Sequence, residues 1–142
     1  MKIIKNSFEN YTCNYNNIHN NNLKNINNFD DFSNIIIYGR EGIGKYTATI
    51  NFIKKFSKNE LKYEKKILIS NNSKNDFFFK ISDIHFEIDM QLLGYNSKTL
   101  FNEIYTMISD IIYSKKMQNA IILCKNFEFI DYELLELFYS YM

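Results

Sequence analysis

Residues 34–47, Asn-Ile-Ile-Ile-Tyr-Gly-Arg-Glu-Gly-Ile-Gly-Lys-Tyr-Thr, run from an apolar stretch into closely spaced glycines and a lysine. Gly39, Gly42 and Gly44 are three of the four glycines in a chain of 142 residues. Their spacing to Lys45 reads as strand, phosphate-binding loop and helix start. Such a loop needs glycine because its backbone adopts positive φ and approaches phosphate oxygens with no Cβ in the way. The donors are successive main-chain N–H groups and the positive end of the following helix, with Lys45 as a point charge for the β/γ-phosphates. Gly39, Arg40, Glu41, Gly42, Ile43, Gly44, Lys45, Tyr46 and Thr47 are therefore the candidate cofactor-binding residues. One position departs from the pattern. After the lysine a Ser or Thr hydroxyl is expected for Mg²⁺, and Tyr46 stands there with Thr47 one residue on. A helical step of one residue turns a side chain by about 100°, which takes Thr47 out of that ligand's place.

Composition sets the class. Hydrophobic residues at 46% and aromatics at 17% are globular proportions, and the length is that of one domain able to bury a core. The net charge of +1 argues neither for nor against nucleic acid or membrane, so any DNA contact must come from local patches or from an assembly. No apolar stretch approaches the about 20 residues that span a bilayer, and residues 1–10 lack the apolar core of a secretory signal. Cys13 and Cys124 stand far apart without metal-ligand spacing, which reads as free thiols in a reducing, intracellular setting. The excess of Asn, Ile, Lys, Tyr and Phe matches AT-rich codons, so individual Asn and Lys residues carry little information.

In chain order, residues 1–22 form an Asn-rich flexible lead-in, with His19 solvated. Leu23, Ile26, Phe29 and Phe32 suit a short helix. Residues 34–38 predict a first strand, their isoleucine run fitting a parallel strand covered on both faces. A helix over 45–56 turns Thr49, Ile50, Ile53 and Phe56 inward. Residues 66–70 predict the next strand, and 71–76 a polar turn. Phe77, Phe79 and Ile81, then Ile84, Phe86 and Ile88, alternate as strands on either side of Ser82-Asp83, with His85 on the polar face at the surface. Gly94 and Asn96 mark a turn. From Ser97, the expected N-cap, a helix carries the stripe Leu100, Ile104, Ile108 and Ile111. Residues 120–124 read as a buried strand, and Asp131 caps a last helix. Strands alternating with helices predict an α/β fold with a mainly parallel sheet.

With these parts placed, residues 23–142 resemble an AAA+ ATPase, specifically a small subunit of the replication factor C clamp loader. The resemblance rests on the approach Asn-Asn-Phe-Asp-Asp-Phe-Ser-Asn-Ile-Ile-Ile-Tyr-Gly into a Walker A loop, and on Ile84 to Ile88 with the Gly94-Tyr95-Asn96 turn and long helix. It extends to residues 120–142 as Walker B strand and helix. Lys45-Tyr46-Thr47 is similar to the subunit type that binds nucleotide and is catalytically silent. The resemblance implies an incomplete P-loop NTPase sheet flanked by helices, without the lid and collar domains. Either this is the N-terminal piece of a split or decayed gene, or a compact paralogue that pairs its Walker A and B strands directly or borrows a strand.

The acids of an active Walker B strand, one for the Mg²⁺ shell and one for the attacking water, fall on Lys125 and Asn126. The resemblance thus implies weak ATP or ADP binding, with Mg²⁺ in question and no catalytic residue. The partners implied are other clamp-loader subunits, with a sliding clamp and primed DNA reached only through an assembly and no membrane. The setting implied is the nucleus or a viral replication compartment of an AT-rich eukaryote or large DNA virus. Lys125 supplying its own charge to the phosphates is one variant of this reading. Two rivals stand beside it. One is a working ATPase that uses Thr47 with Glu128 or Asp131, and the other is an interaction module with a vestigial loop and a docking surface over 127–141.

Overall fold

The computed structural model describes residues 8, 26–29, 33–69 and 77–141. The chain divides into two compact units, Met1–Glu64 with Ser82–Ile84, and Lys65–Ile81 with His85–Met142. Among the described residues no helix is long and apolar enough to cross a membrane.

The first unit is built on helix α1, Lys45–Lys54, which starts directly after Gly44. It buries Ala48, Ile50, Phe52 and Ile53, so the inward face is turned slightly from the expected Thr49 side. The helix ends at Lys54 and the chain leaves it in a turn, the Phe56 amide donating to the Ile53 carbonyl at 3.0 Å. Phe56 meets the edge of Phe52 at 5.4 Å and Phe29 at 4.8 Å between ring centroids. The turn beyond it is fixed by Asp83. Its carboxylate accepts from the Ser57 hydroxyl at 2.8 Å and from the Asn59 amide N–H at 3.1 Å. The Ser57 oxygen in turn accepts from the Leu61 N–H at 2.9 Å. This network holds Glu60 and Leu61 at φ of 55° and 57°, a left-handed backbone that side chains rarely adopt. Of the lead-in only Phe8 is described, buried, with its N–H donating to Glu64 at 3.0 Å. Cys13, His19 and the 71–76 turn lie outside the described residues.

Residues 34–38 correct the expectation of a first strand. They form no strand pairing, and Ile36 and Tyr38 are 76% and 88% exposed. A β-branched run meets the local preference for extended backbone, but a strand also needs a neighbour for its N–H and C=O groups, and local sequence does not specify one.

The second unit is a four-stranded sheet in the order β1-β2-β3-β4: β1 Lys65–Ile69, β2 Phe77–Ile81, β3 His85–Asp89 and β4 Ile121–Lys125. β1 with β2 and β2 with β3 are antiparallel, while β3 with β4 is parallel. The sheet is therefore mixed, not mainly parallel as the alternation of elements predicts. Between β3 and β4 runs helix α2, Ser97–Ser114, the crossover that a parallel pair requires. Helix α3, Tyr132–Tyr141, follows β4. Thus the fold is α/β, a mixed sheet flanked by helices.

The period of α2 acts as predicted. Leu100, Phe101, Ile104 and Ile108 are buried and join Phe77, Phe79, Ile81, Phe86 and Ile88 of the sheet in one core, with Leu134 of α3. Ser97 is the first helical residue and not the cap, and its hydroxyl bonds the Asp131 carboxylate. Asp131 does cap α3 as expected, accepting from the Leu134 N–H at 2.8 Å.

Cys124 packs against this core, and burial pushes its thiol up from 9.0 to about 12. The thiolate then forms first in the unfolded chain. The thiol's share of stability is full below about pH 9 and falls as pH rises toward about 12, by at most about 1.4 kcal/mol per pH unit. Urea unfolding at about pH 8 and about pH 10 should show a steeper loss in the native chain than in Cys124→Ala. Equal losses in the two chains would contradict it.

Candidate functional site

The loop adopts the backbone that its glycines predict. Gly39, Gly42 and Gly44 have φ of 153°, 76° and 83°. Gly44 sits in the left-handed region immediately before α1, so the first-turn N–H groups, which have no carbonyl of their own helix to bond, follow directly after it. A Cβ on Gly39 would stand 2.5 Å from the Ile43 Cδ1, so the loop also folds tightly on itself. Lys45 closes it. Its ammonium donates to the Gly39 carbonyl at 2.6 Å and to the Arg40 carbonyl at 2.9 Å. The structure therefore brings Gly39, Arg40 and Lys45 together, with Gly42, Ile43 and Gly44 between them. Residues Arg40 to Ile43 are exposed, and Gly44 to Thr47 are half-buried.

This arrangement suits an anion. The lysine is already held at the loop by two neutral carbonyls, which a polyphosphate would exchange for charged oxygens. The helix dipole adds its positive end at the same point. Thr49, one turn along, uses its hydroxyl on the Lys45 carbonyl at 2.8 Å and so serves the helix.

Lys125 and Asn126, which the resemblance sets at the Walker B positions, lie in the second unit. Lys125 ends β4, which runs parallel to β3 with Asp89 opposite Lys125 and Glu87 opposite Leu123. Glu87 and Lys125 are thus diagonal neighbours on one face of the sheet, within reach of a long side chain. The Lys125 ammonium lies 3.6 Å from the Glu87 carboxylate, with the side chains 32% and 6% exposed. Asn126, at φ 52° in the left-handed region, donates its side-chain N–H to Asp89 at 2.9 Å. Asp89 also accepts from the Gln91 N–H at 3.2 Å. Each carboxylate at this strand end is therefore engaged by a donor of the chain itself.

His85 corrects the expectation of a surface histidine, being 0% exposed. Its strand is internal, with β2 on one side and β4 on the other, and four of its five residues are buried, so the alternation does not mark a wet face. Glu87 is buried by the same cause, and its pairing with Lys125 is not among the expectations from the sequence. An acid inside a run of Phe and Ile was the available signal.

The acids proposed for an active enzyme fare differently. Asp131 is committed to the α3 cap and to Ser97, while Glu128 is exposed in the 3₁₀ turn Phe127–Phe129. Of the aromatic end, Phe138 packs tilted against Phe101 at 4.8 Å, while Tyr141 stacks on Tyr105 at 4.6 Å and stays 42% exposed. Phe129, Tyr132 and Tyr139 are exposed. Among the described residues no group of three or more His, Cys, Asp or Glu side chains is arranged to hold a metal.

Comparison with family models, with curated proteins and with solved structures finds no match.

Proposed function

We propose that this chain is a nucleotide-binding module of the clamp-loader type, which binds ATP or ADP through residues 39–47 and does not hydrolyse it. The observation that carries the reading is the loop itself, with its three glycines at positive φ and the Lys45 ammonium folded over the Gly39 and Arg40 carbonyls at the start of α1. Backbone N–H groups and Lys45 hold the phosphates, and the other clamp-loader subunits are the partners, with the sliding clamp and primed DNA engaged by the assembly.

Hydrolysis needs a group to orient the attacking water, usually a carboxylate or an amide, in the reacting complex. Asn126 is tied to Asp89, and Asp131 is tied to Leu134 and Ser97, which supports a silent site. Turnover that disappears in Glu128→Gln would instead establish an unconventional ATPase.

Thermal melting of the chain with and without ATP tests the binding. A ligand specific to the folded state adds about 2.7 kcal/mol at a hundred times its dissociation constant. The midpoint should rise with ATP and stay fixed in Lys45→Ala, which keeps the fold because the ammonium bonds only exposed loop carbonyls. A cooperative melt that ATP leaves unmoved would assign the function to a partner surface over 127–141 instead.

A further inference from the structure

We infer that the outer face of α3 is a docking surface for an arginine-bearing segment of a partner protein. This goes beyond the nucleotide-binding reading above and does not depend on it.

Helix α3 has two unlike faces. Leu134, Leu137 and Phe138 turn to the core of the second unit. On the other side Tyr132, Glu136 and Tyr139 follow one another at i, i+4 and i+7, which makes one stripe along the helix. Tyr132 and Tyr139 are 74% and 71% exposed, and Glu133 and Glu136 are exposed as well. Phe129, in the turn before the helix, adds a third exposed ring. Tyrosine offers a large amphipathic area with few rotamers to lose, which is why it anchors protein interfaces.

Charge selects the occupant. Residues 126–141 hold the acids Glu128, Asp131, Glu133 and Glu136 and no lysine, arginine or histidine. Asp131 caps the helix, and Glu133 in its first turn answers the positive end of the dipole. Glu136 has neither role, being in the middle of the helix on the stripe of the two tyrosines. The last turn carries no basic residue, so no cationic side chain of α3 answers the negative end of its dipole. A cationic segment laid along this face complements the acid, the rings and the helix end together. Arginine does so better than lysine, because its planar guanidinium stacks on a tyrosine ring and bonds a carboxylate through two N–H groups. The same acids repel the phosphates of a nucleic acid.

The experiment is a titration of a fluorescent peptide, in which arginine alternates with leucine and alanine, with the full chain, read by anisotropy. The native chain is compared with the double variant Tyr132→Ala, Tyr139→Ala and with Glu136→Lys. All three side chains are exposed, so each variant should keep the urea midpoint of the native chain. The result expected is saturable binding by the native chain, weaker by about tenfold or more in each variant and absent for the same peptide with glutamate in place of arginine. Binding that both variants leave within about twofold, or a glutamate peptide that binds as well, overturns the assignment to this face. Binding that falls in Glu136→Lys and not in the tyrosine variant reduces the effect to net charge and overturns the docking surface, as does a native chain that leaves the arginine peptide free. Sedimentation of the chain alone covers a different occupant, since a concentration-dependent dimer lost in the same variants would give the face to a second copy and overturn the external partner.

Discussion

Phe86→Ala should lower the stability of the chain by about 3–5 kcal/mol, the range for removing a large aromatic from a closed core. Phe86 is fully buried in β3, opposite Ile81 of β2 and Ile122 of β4. Its ring belongs to the cluster built by the sheet with Leu100, Phe101, Ile104 and Ile108 of α2. The cost has a transfer part and a cavity part, and an internal strand held on both sides relaxes little into the space. Domains of this kind hold only about 5–15 kcal/mol in all, so the variant should melt far below the native chain. Denaturant unfolding checks it, and a midpoint within error of the native chain would mean that β3 is not the centre of this core.

Lys125→Met should cost about 2–4 kcal/mol, below the full range for breaking a buried pair because the lysine is itself partly exposed. The two partners are unequal. Glu87 is 6% exposed and Lys125 32%, so the lysine can swing its ammonium to water and the glutamate cannot follow. Glu87→Gln, which removes the charge and keeps a hydrogen-bonding group, should therefore cost clearly less than Lys125→Met. If Glu87→Gln instead proves the more damaging of the two, the pair is not what holds the buried acid. The double variant with both changes should recover part of the loss, since it removes both charges of the pair together.

The parts that the sequence predicts well are the ones whose signal is local. Phe77, Phe79 and Ile81 alternate on β2, the helical stripe of α2 fills the core, and Asp131 caps α3, because side-chain period and capping are settled within a few residues. The loop belongs to this group. Its glycines announce the positive φ values, whereas the bonds from Lys45 to the Gly39 and Arg40 carbonyls have no signal in the spacing. What stayed hidden depends on partners distant in sequence. The isoleucine run at 35–37 looks like a buried strand, yet strand pairing is decided elsewhere in the chain. His85 and Glu87 look like a polar face until β2 and β4 are placed on either side of their strand. The direction of β1 and β2, which makes the sheet mixed, has no signature in their composition.

The Lys125–Glu87 pair also has a bearing on reversibility. Placing an acid at position 125 alone would set two carboxylates together on one face of the sheet, with one of them buried, and like charges so placed destabilise a sheet. An acidic end to β4 therefore needs a second, simultaneous change at Glu87, and each single step on the way is worse than the starting point. The ion pair acts as a ratchet: whatever brought a lysine to the end of β4, the buried glutamate now keeps it there.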